Sequence, residues 1–178
     1  MIELIDIIDQ NENILHQAPK EEAHKMGWAH WSIHLWIVNK NNEILIQKRS
    51  KNKDTYPNLW DVSVAGHVSS GESFINTALR ECQEEIGLKL KVSDLLLYGT
   101  NHKQIIHNPT CIDHEFQKLF MCKINFQLNQ LQLQNEEVSE VQLISSKVLI
   151  SKLESKDPML VPRSHDYIKL LSKQLPLL

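Results

Sequence analysis

The run Gly66–Leu88, GHVSSGESFINTALRECQEEIGL, decides how this chain is read. It holds three of the chain's five glycines, and its fixed residues are spaced Gly66-x5-Glu72-x7-Arg80-Glu81-Cys82-x-Glu84-Glu85-x-Gly87-Leu88. On a helical wheel, residues 75–86 gather Ile75, Ala78, Leu79, Cys82 and Ile86 into an apolar stripe suited to a core. The wheel reading sets Glu81, Glu84 and Glu85 on the opposite side, within about two turns of one another.

Carboxylates this close repel one another unless something neutralises them. Mg²⁺ or Mn²⁺, hard ions that take oxygen ligands, would turn that repulsion into binding, with waters and substrate phosphate oxygens completing the shell. A solvated acidic face is the bland alternative. Arg80 and the flanking glycines argue against it. Gly66 lets the backbone turn tightly into the loop, and Gly87 closes the helix as its C′ residue. Glu72 is placed to pair with Arg80 and brace the loop against the helix.

The spacing resembles the Nudix box, the signature of hydrolases acting on nucleoside diphosphates linked to another moiety. Cys82 stands where that family usually has Ile, Leu or Val, and a small apolar thiol suits the same buried position. The resemblance implies an α/β (α+β) fold of the Nudix type, an α/β/α sandwich around a mixed β-sheet. It also implies metal-dependent cleavage of a diphosphate linkage.

Composition agrees with one enzyme domain over residues 1–178, long enough to bury a core. A net charge of −3 leaves no footprint for a nucleic acid polymer or a membrane surface. Cys82, Cys111 and Cys122 share no metal or redox spacing, which suits reduced thiols in the cytoplasm. The start, MIELIDIIDQ, has no signal-peptide character, and no apolar run reaches membrane-spanning length. A monomer or a homodimer is expected.

Residues 2–8 and 13–17 read as a hairpin, and strands follow at 30–38, 43–49 and 61–65. Ile33, Leu35 and Ile37 alternate onto one face of the first of these. Further strands are expected near 94–101, 114–126 and 138–144. Pro158 is read as opening a last helix that buries Ile168, Leu170 and Leu171.

Residues 15–145 carry a narrower resemblance, to the isopentenyl-diphosphate isomerase branch of the same superfamily, through AHKMGWAHWSIHLWIVNKNNEILIQKRSKNKDTYPNLWDVSVAGHVSSGE. In that branch, histidines before the first core strand, a histidine entering the box and two acids on a later strand bind a metal. Those positions are His24, His30, His67, Asp113 and Glu115, implying a second divalent ion. Asp113 and Glu115 are two apart, so a strand points both to one face. Imidazole and carboxylate ligands together suit Mn²⁺, Zn²⁺ or Fe²⁺. The plain alternative is that these histidines are structural or surface residues.

The departure from that branch weighs more. Its catalytic cysteine precedes the Gly-His pair, where this chain has Ala65 before Gly66-His67. Moving a double bond needs an acid and a base on carbon, and alanine supplies neither. Hydrolysis is therefore the leading expectation, with isopentenyl-diphosphate isomerisation or a non-catalytic nucleotide sensor as alternatives. Metal ligands are expected at Glu81, Glu84 and Glu85 with the Gly66 carbonyl. Glu84 and Glu115 are the candidate general bases, and Glu85 is expected to be essential. Lys48, Arg49 and Lys53 are the expected grips on the diphosphate. Trp28, Trp31 and Trp36 could stack on a base or cover an apolar group, whereas Trp36 and Trp60 read better as core.

Overall fold

The computed structural model of the chain describes residues 2–177. It opens with the expected hairpin of β1 (Leu4–Ile8) and β2 (Ile14–Pro19). The Asp9 carboxylate ties the turn by accepting from the backbone N–H groups of Asn11 (2.8 Å) and Asn13 (2.9 Å). A short helix absent from the sequence reading follows, α1 (Lys20–Met26), ended by Gly27 at φ 66°. Strands β3 (His30–Val38) and β4 (Glu43–Arg49) stand where alternation sets them.

The strand expected at 61–65 is two pieces, β5 (Trp60–Asp61) and β6 (Val64–His67). Ser63 makes the break. Its hydroxyl donates to the Leu45 carbonyl (2.5 Å) and accepts from the Ile37 N–H (2.8 Å), standing between β3 and β4 where backbone would otherwise pair. Helix α2 (Phe74–Ile86) starts on the Ser73 side chain, which accepts from Asn76 N–H, and ends at Gly87 with φ 72°. Strands β7 (Leu96–Asn108) and β8 (Cys111–Lys123) form a hairpin, β7 running well past the strand expected at 94–101 and β8 starting and ending three residues before the one expected at 114–126. After β9 (Val138–Ser145) comes a second unexpected helix, α3 (Ser146–Glu154). The last helix, α4 (His165–Gln174), is capped by Ser164 rather than opened at Pro158. It buries Ile168 and Leu171 as expected, with Leu170 half-buried against the core.

The sheet is mixed. β3 runs parallel to β8 on one edge and antiparallel to β1, β6 and β4 in turn along the other. β2 lies outside β1, β7 outside β8, and both β5 and β9 pair with β4. Ile33, Leu35 and Ile37 on one face pack against Ala78, Cys82 and Ile86 of α2. Trp36 and Val38 on the other join Leu119, Met121, Tyr167 and Leu171 under α3 and α4. This is the α/β/α arrangement. Each fully buried Leu or Ile in these layers contributes roughly 1.5–3 kcal/mol.

Two wheel positions on α2 are corrected. Ile75 is 37% exposed, and the neighbouring Phe74 packs on the core instead. Glu85, read as opposite the stripe, is only 5% exposed. Seven residues past Ala78 is about 20° short of two full turns, so Glu85 borders the stripe.

The face of the sheet beneath α3 and α4 changes character along its strands. In β3, His30, Ser32 and His34 precede Trp36 and Val38 on that face; in β8, Asp113, Glu115 and Gln117 precede Leu119 and Met121. The register sets His30 beside Glu115 and Ser32 beside Gln117. The apolar half is roofed by helices, and the polar half floors a cleft of about 660 Å³.

Candidate active site

Helix α2 and strand β6 build one wall of this cleft. Glu85 accepts from the Gln47 side chain (3.0 Å) and the Ala65 N–H (3.3 Å), which fixes its carboxylate behind β6. Glu81 lies against Gly66, where a Cβ would overlap the Glu81 carboxylate, so a larger residue there must displace that side chain. Arg80 pairs with Glu72 as expected and gathers two further acids. Its guanidinium holds Glu72 (2.9 Å), Glu81 (2.8 Å), Glu84 (3.0 Å) and the His67 carbonyl (3.3 Å). One cation does not match this much negative charge. Burial, reinforced by Glu84 and only partly offset by Arg80, pushes the Glu81 carboxyl up to about 7. Burial and the neighbouring Glu81 push Glu85 up to about 8. Such a pair suits a hard divalent ion: carboxylate oxygens largely out of solvent and short of positive charge.

The histidine cluster forms a second corner. His24 on α1, His30 on β3 and His67 on β6 present ring nitrogens all within 4.8 Å of one another. The Nε2 atoms of His24 and His67 are 3.1 Å apart, and Glu115 Oε1 lies 3.7 Å from His67 Nε2. His30 donates from Nδ1 to the Trp28 carbonyl (2.9 Å), which leaves the lone pair on a buried Nε2 with no partner among the described residues. Burial, followed by the like-charge neighbours His30 and His24, drives the His67 pKa well down, keeping its lone pair free. This donor set fits a borderline metal ion. Asp113 joins the cluster at His24: a His24 ring nitrogen, Cys111 Sγ and an Asp113 oxygen also lie within 4.8 Å of one another. The Asp113 carboxylate also meets Lys103 (3.0 Å), which lines the cleft, and His107 (2.9 Å), two residues the sequence reading did not name.

The expected phosphate grips are placed unevenly. Arg49 lines the cleft, but it bonds the Thr55 carbonyl (3.0 Å) and Asp61 (3.2 Å). Lys53 also lines the cleft and is ion-paired with Glu137. Lys48 lies outside, 3.7 Å from Glu140 and over the Trp60 ring. Trp31 lies outside as well: its indole N–H donates to Glu12 (2.7 Å) and its ring meets Phe74 edge-on at 5.4 Å. Trp28 packs on the small N-terminal core, Trp36 is buried, and Trp60 is half-buried against the core. Among the described residues no tryptophan lines the cleft.

Arg163 is, with Lys103, a cleft cation the sequence reading missed. It is buried between α3 and α4, pairs with Asp61 and lies 5.1 Å over the Tyr167 ring. Two arginines thus share one carboxylate and leave a net positive charge on the cleft wall. Burial alone would raise the Asp61 pKa, but Arg163 and Arg49 outweigh it and hold the group at about 2.

A family model described as the NUDIX domain matches residues 28–167. The chain belongs to the Nudix family. It is 35% identical over 139 residues to an uncharacterised Nudix hydrolase of Clostridium acetobutylicum, covering 76% of this chain and 66% of that one. It is 34% identical over 148 residues to Nudix hydrolase 3 of Arabidopsis thaliana, covering 81% of this chain but 19% of that protein. An uncharacterised Nudix hydrolase of Listeria monocytogenes is 32% identical over 145 residues, with 81% and 80% covered. The chain therefore spans less than two thirds of the length of the first two relatives. Among solved structures, a Deinococcus radiodurans protein aligns over 96% of this chain and 98% of its own with a TM-score of 0.71 at 17% identity, which shows the shared fold. The Nudix domain of this chain is thus an enzyme fold of the hydrolase class with its box acids in place.

Proposed function

We propose that this chain hydrolyses the diphosphate linkage of a small organic diphosphate, nucleoside-linked or simpler, with Mg²⁺ or Mn²⁺ at the box carboxylates. The observation that carries this reading is the pair of mutually repelling carboxylates Glu81, packed against Gly66, and Glu85, buried behind β6. Glu81 and Glu85, with Glu84 and the Gly66 carbonyl, are the residues that would hold the ion. A bound ion there polarises the diphosphate and makes a nearby water more acidic. Arg80 positions Glu81 and Glu84 for that task. Glu115, held near 2 by Lys103 and the histidines against the effect of burial, is a weak proton acceptor. The general-base role therefore goes to Glu84, which is half exposed at the cleft. Arg163 and Arg49, with Lys53, offset phosphate charge across the cleft.

His24, His30, His67, Asp113 and Glu115 would hold the second divalent ion. Ala65 lines the cleft between the two corners and offers no proton, which weighs against isomerisation. The same reading has the protein in the cytoplasm as a monomer or homodimer, in keeping with its free thiols Cys82, Cys111 and Cys122. A solved Shewanella oneidensis Nudix domain binds ADP ribose, so nucleoside diphosphates linked to sugars belong in the substrate screen. That screen, run with Mg²⁺ and with Mn²⁺, tests the reading. Metal-dependent release of phosphate or nucleotide is expected from at least one diphosphate, and silence across nucleotide sugars, nucleoside, thiamine and isoprenoid diphosphates would contradict it.

A further inference from the structure

His34 lies on the cleft floor between the polar and apolar halves of the sheet and is only 5% exposed. Its Nδ1 is 2.9 Å from the Tyr167 hydroxyl, and the Trp36 indole N–H donates to that same hydroxyl over 3.1 Å. An indole N–H can only donate, so Tyr167 accepts from Trp36. Tyr167 is fully buried, and its own proton needs an acceptor. Among the described residues His34 Nδ1 is the acceptor in reach, which places the His34 proton on Nε2. Nothing bonds that Nε2 among the described residues. Burial, then the nearby Arg163 guanidinium, pushes the His34 pKa down to about 3, so the ring is neutral.

Two further observations aim this N–H at a ligand. Ser32, two residues earlier on the same face, lines the cleft with a buried hydroxyl that has no partner. His34 also pairs across the ladder with Ala65, whose N–H bonds Glu85. His34, Ser32 and Glu85 all line the same cleft, so a diphosphate bound there has these groups on its walls.

We propose that His34 Nε2–H, with the Ser32 hydroxyl beside it, donates a hydrogen bond to an oxygen of the bound diphosphate, and that Tyr167 and Trp36 act as positioning residues that lock its tautomer. This rests on the hydrolase reading for the ligand but not for the tautomer. A neutral donor suits this place: it stabilises phosphate charge without adding a cation beside Arg163 and the candidate metals.

The test uses ¹⁵N-labelled whole protein with Mg²⁺ and inorganic pyrophosphate as probe. His34 should show a protonated Nε2 and a bare Nδ1, Tyr167→Phe should let both tautomers appear, and the Nε2–H resonance should shift as pyrophosphate saturates. His34→Leu should weaken pyrophosphate binding about ten- to a hundredfold, whereas His34→Gln, which keeps an N–H donor, should stay within a few-fold. An Nδ1–H tautomer, or a resonance unmoved at saturation with His34→Leu binding as wild type, would overturn the proposal. Intact pyrophosphate effects without hydrolysis of any diphosphate would count against the hydrolase reading and for the donor.

Discussion

Gly66 and Glu81 are in such close contact that the wall of the carboxylate site has room for a hydrogen and not for a methyl group. Gly66→Ala should therefore push the Glu81 carboxylate out of place while the core beneath α2 stays packed. We expect turnover to fall by about tenfold or more at saturating Mg²⁺, with a melting temperature near that of the wild type. Steady-state kinetics beside a thermal melt will check this, and unchanged turnover would mean Glu81 needs no fixed position.

The raised pKa values of Glu81 and Glu85 give a second expectation. A carboxyl whose folded pKa lies above its unfolded value stabilises the fold below the unfolded pKa and loses that contribution as pH rises through the folded one. Metal-free protein should thus lose stability between about pH 4.5 and 8 through these groups. Glu85→Gln should be more stable than wild type at pH 8 in chelator. Mn²⁺ should bind with proton release at pH 7, seen as buffer-dependent heats in calorimetry. Equal heats in buffers of different ionisation enthalpy would count against two protonated ligands.

Asp61 answers to the opposite sign. Arg163 and Arg49 hold its carboxyl near 2 against the effect of burial, so its contribution is complete above about pH 4 and is lost as pH falls toward 2. Asp61→Asn leaves two guanidinium groups short of their counter-charge, Arg163 among them fully enclosed. A loss of about 3–5 kcal/mol in urea unfolding at pH 7 is expected, shrinking in acid. A cost independent of pH would point to packing instead of charge.

Trp31 should behave as a structural residue. Its indole bonds Glu12 and its ring packs on Phe74, away from the cleft. Trp31→Ala should cost roughly 2–3 kcal/mol of stability and leave KM for the best substrate within a few-fold. A large rise in KM at unchanged stability would return Trp31 to the binding site.

Much of this was legible because particular residues force particular structure. Gly87 can end a helix at φ 72°, Glu72 and Arg80 sit where a loop meets a helix, and Ile33, Leu35 and Ile37 alternate against a buried face. The misses share a cause. The outer halves of β7 and β8 line a cleft, so TNHKQIIHN and CIDHEFQK lack the apolar alternation that marks a half-buried strand. Helix α1 is seven residues long and buries only Ala23, too little for a periodic signal. Arg163 reaches the cleft from just ahead of α4, Tyr167 on that helix meets His34 beneath the cleft, and no local spacing links them to Asp61 or His34. One signal was available: polar residues at every second position in His30-x-Ser32-x-His34 and Asp113-x-Glu115-x-Gln117, each followed by apolar residues in the same phase, mark strands that pass from an open site into a core.

The central claim is that the buried box carboxylates hold the metal that drives diphosphate cleavage, and Glu85→Gln tests it most directly. Gln keeps the shape and can still meet Gln47 and Ala65, so the fold should survive. With the best diphosphate from the screen and saturating Mg²⁺, kcat should fall by about a hundredfold or more while the circular dichroism spectrum is unchanged. Near-wild-type turnover in a folded Glu85→Gln protein would contradict the account.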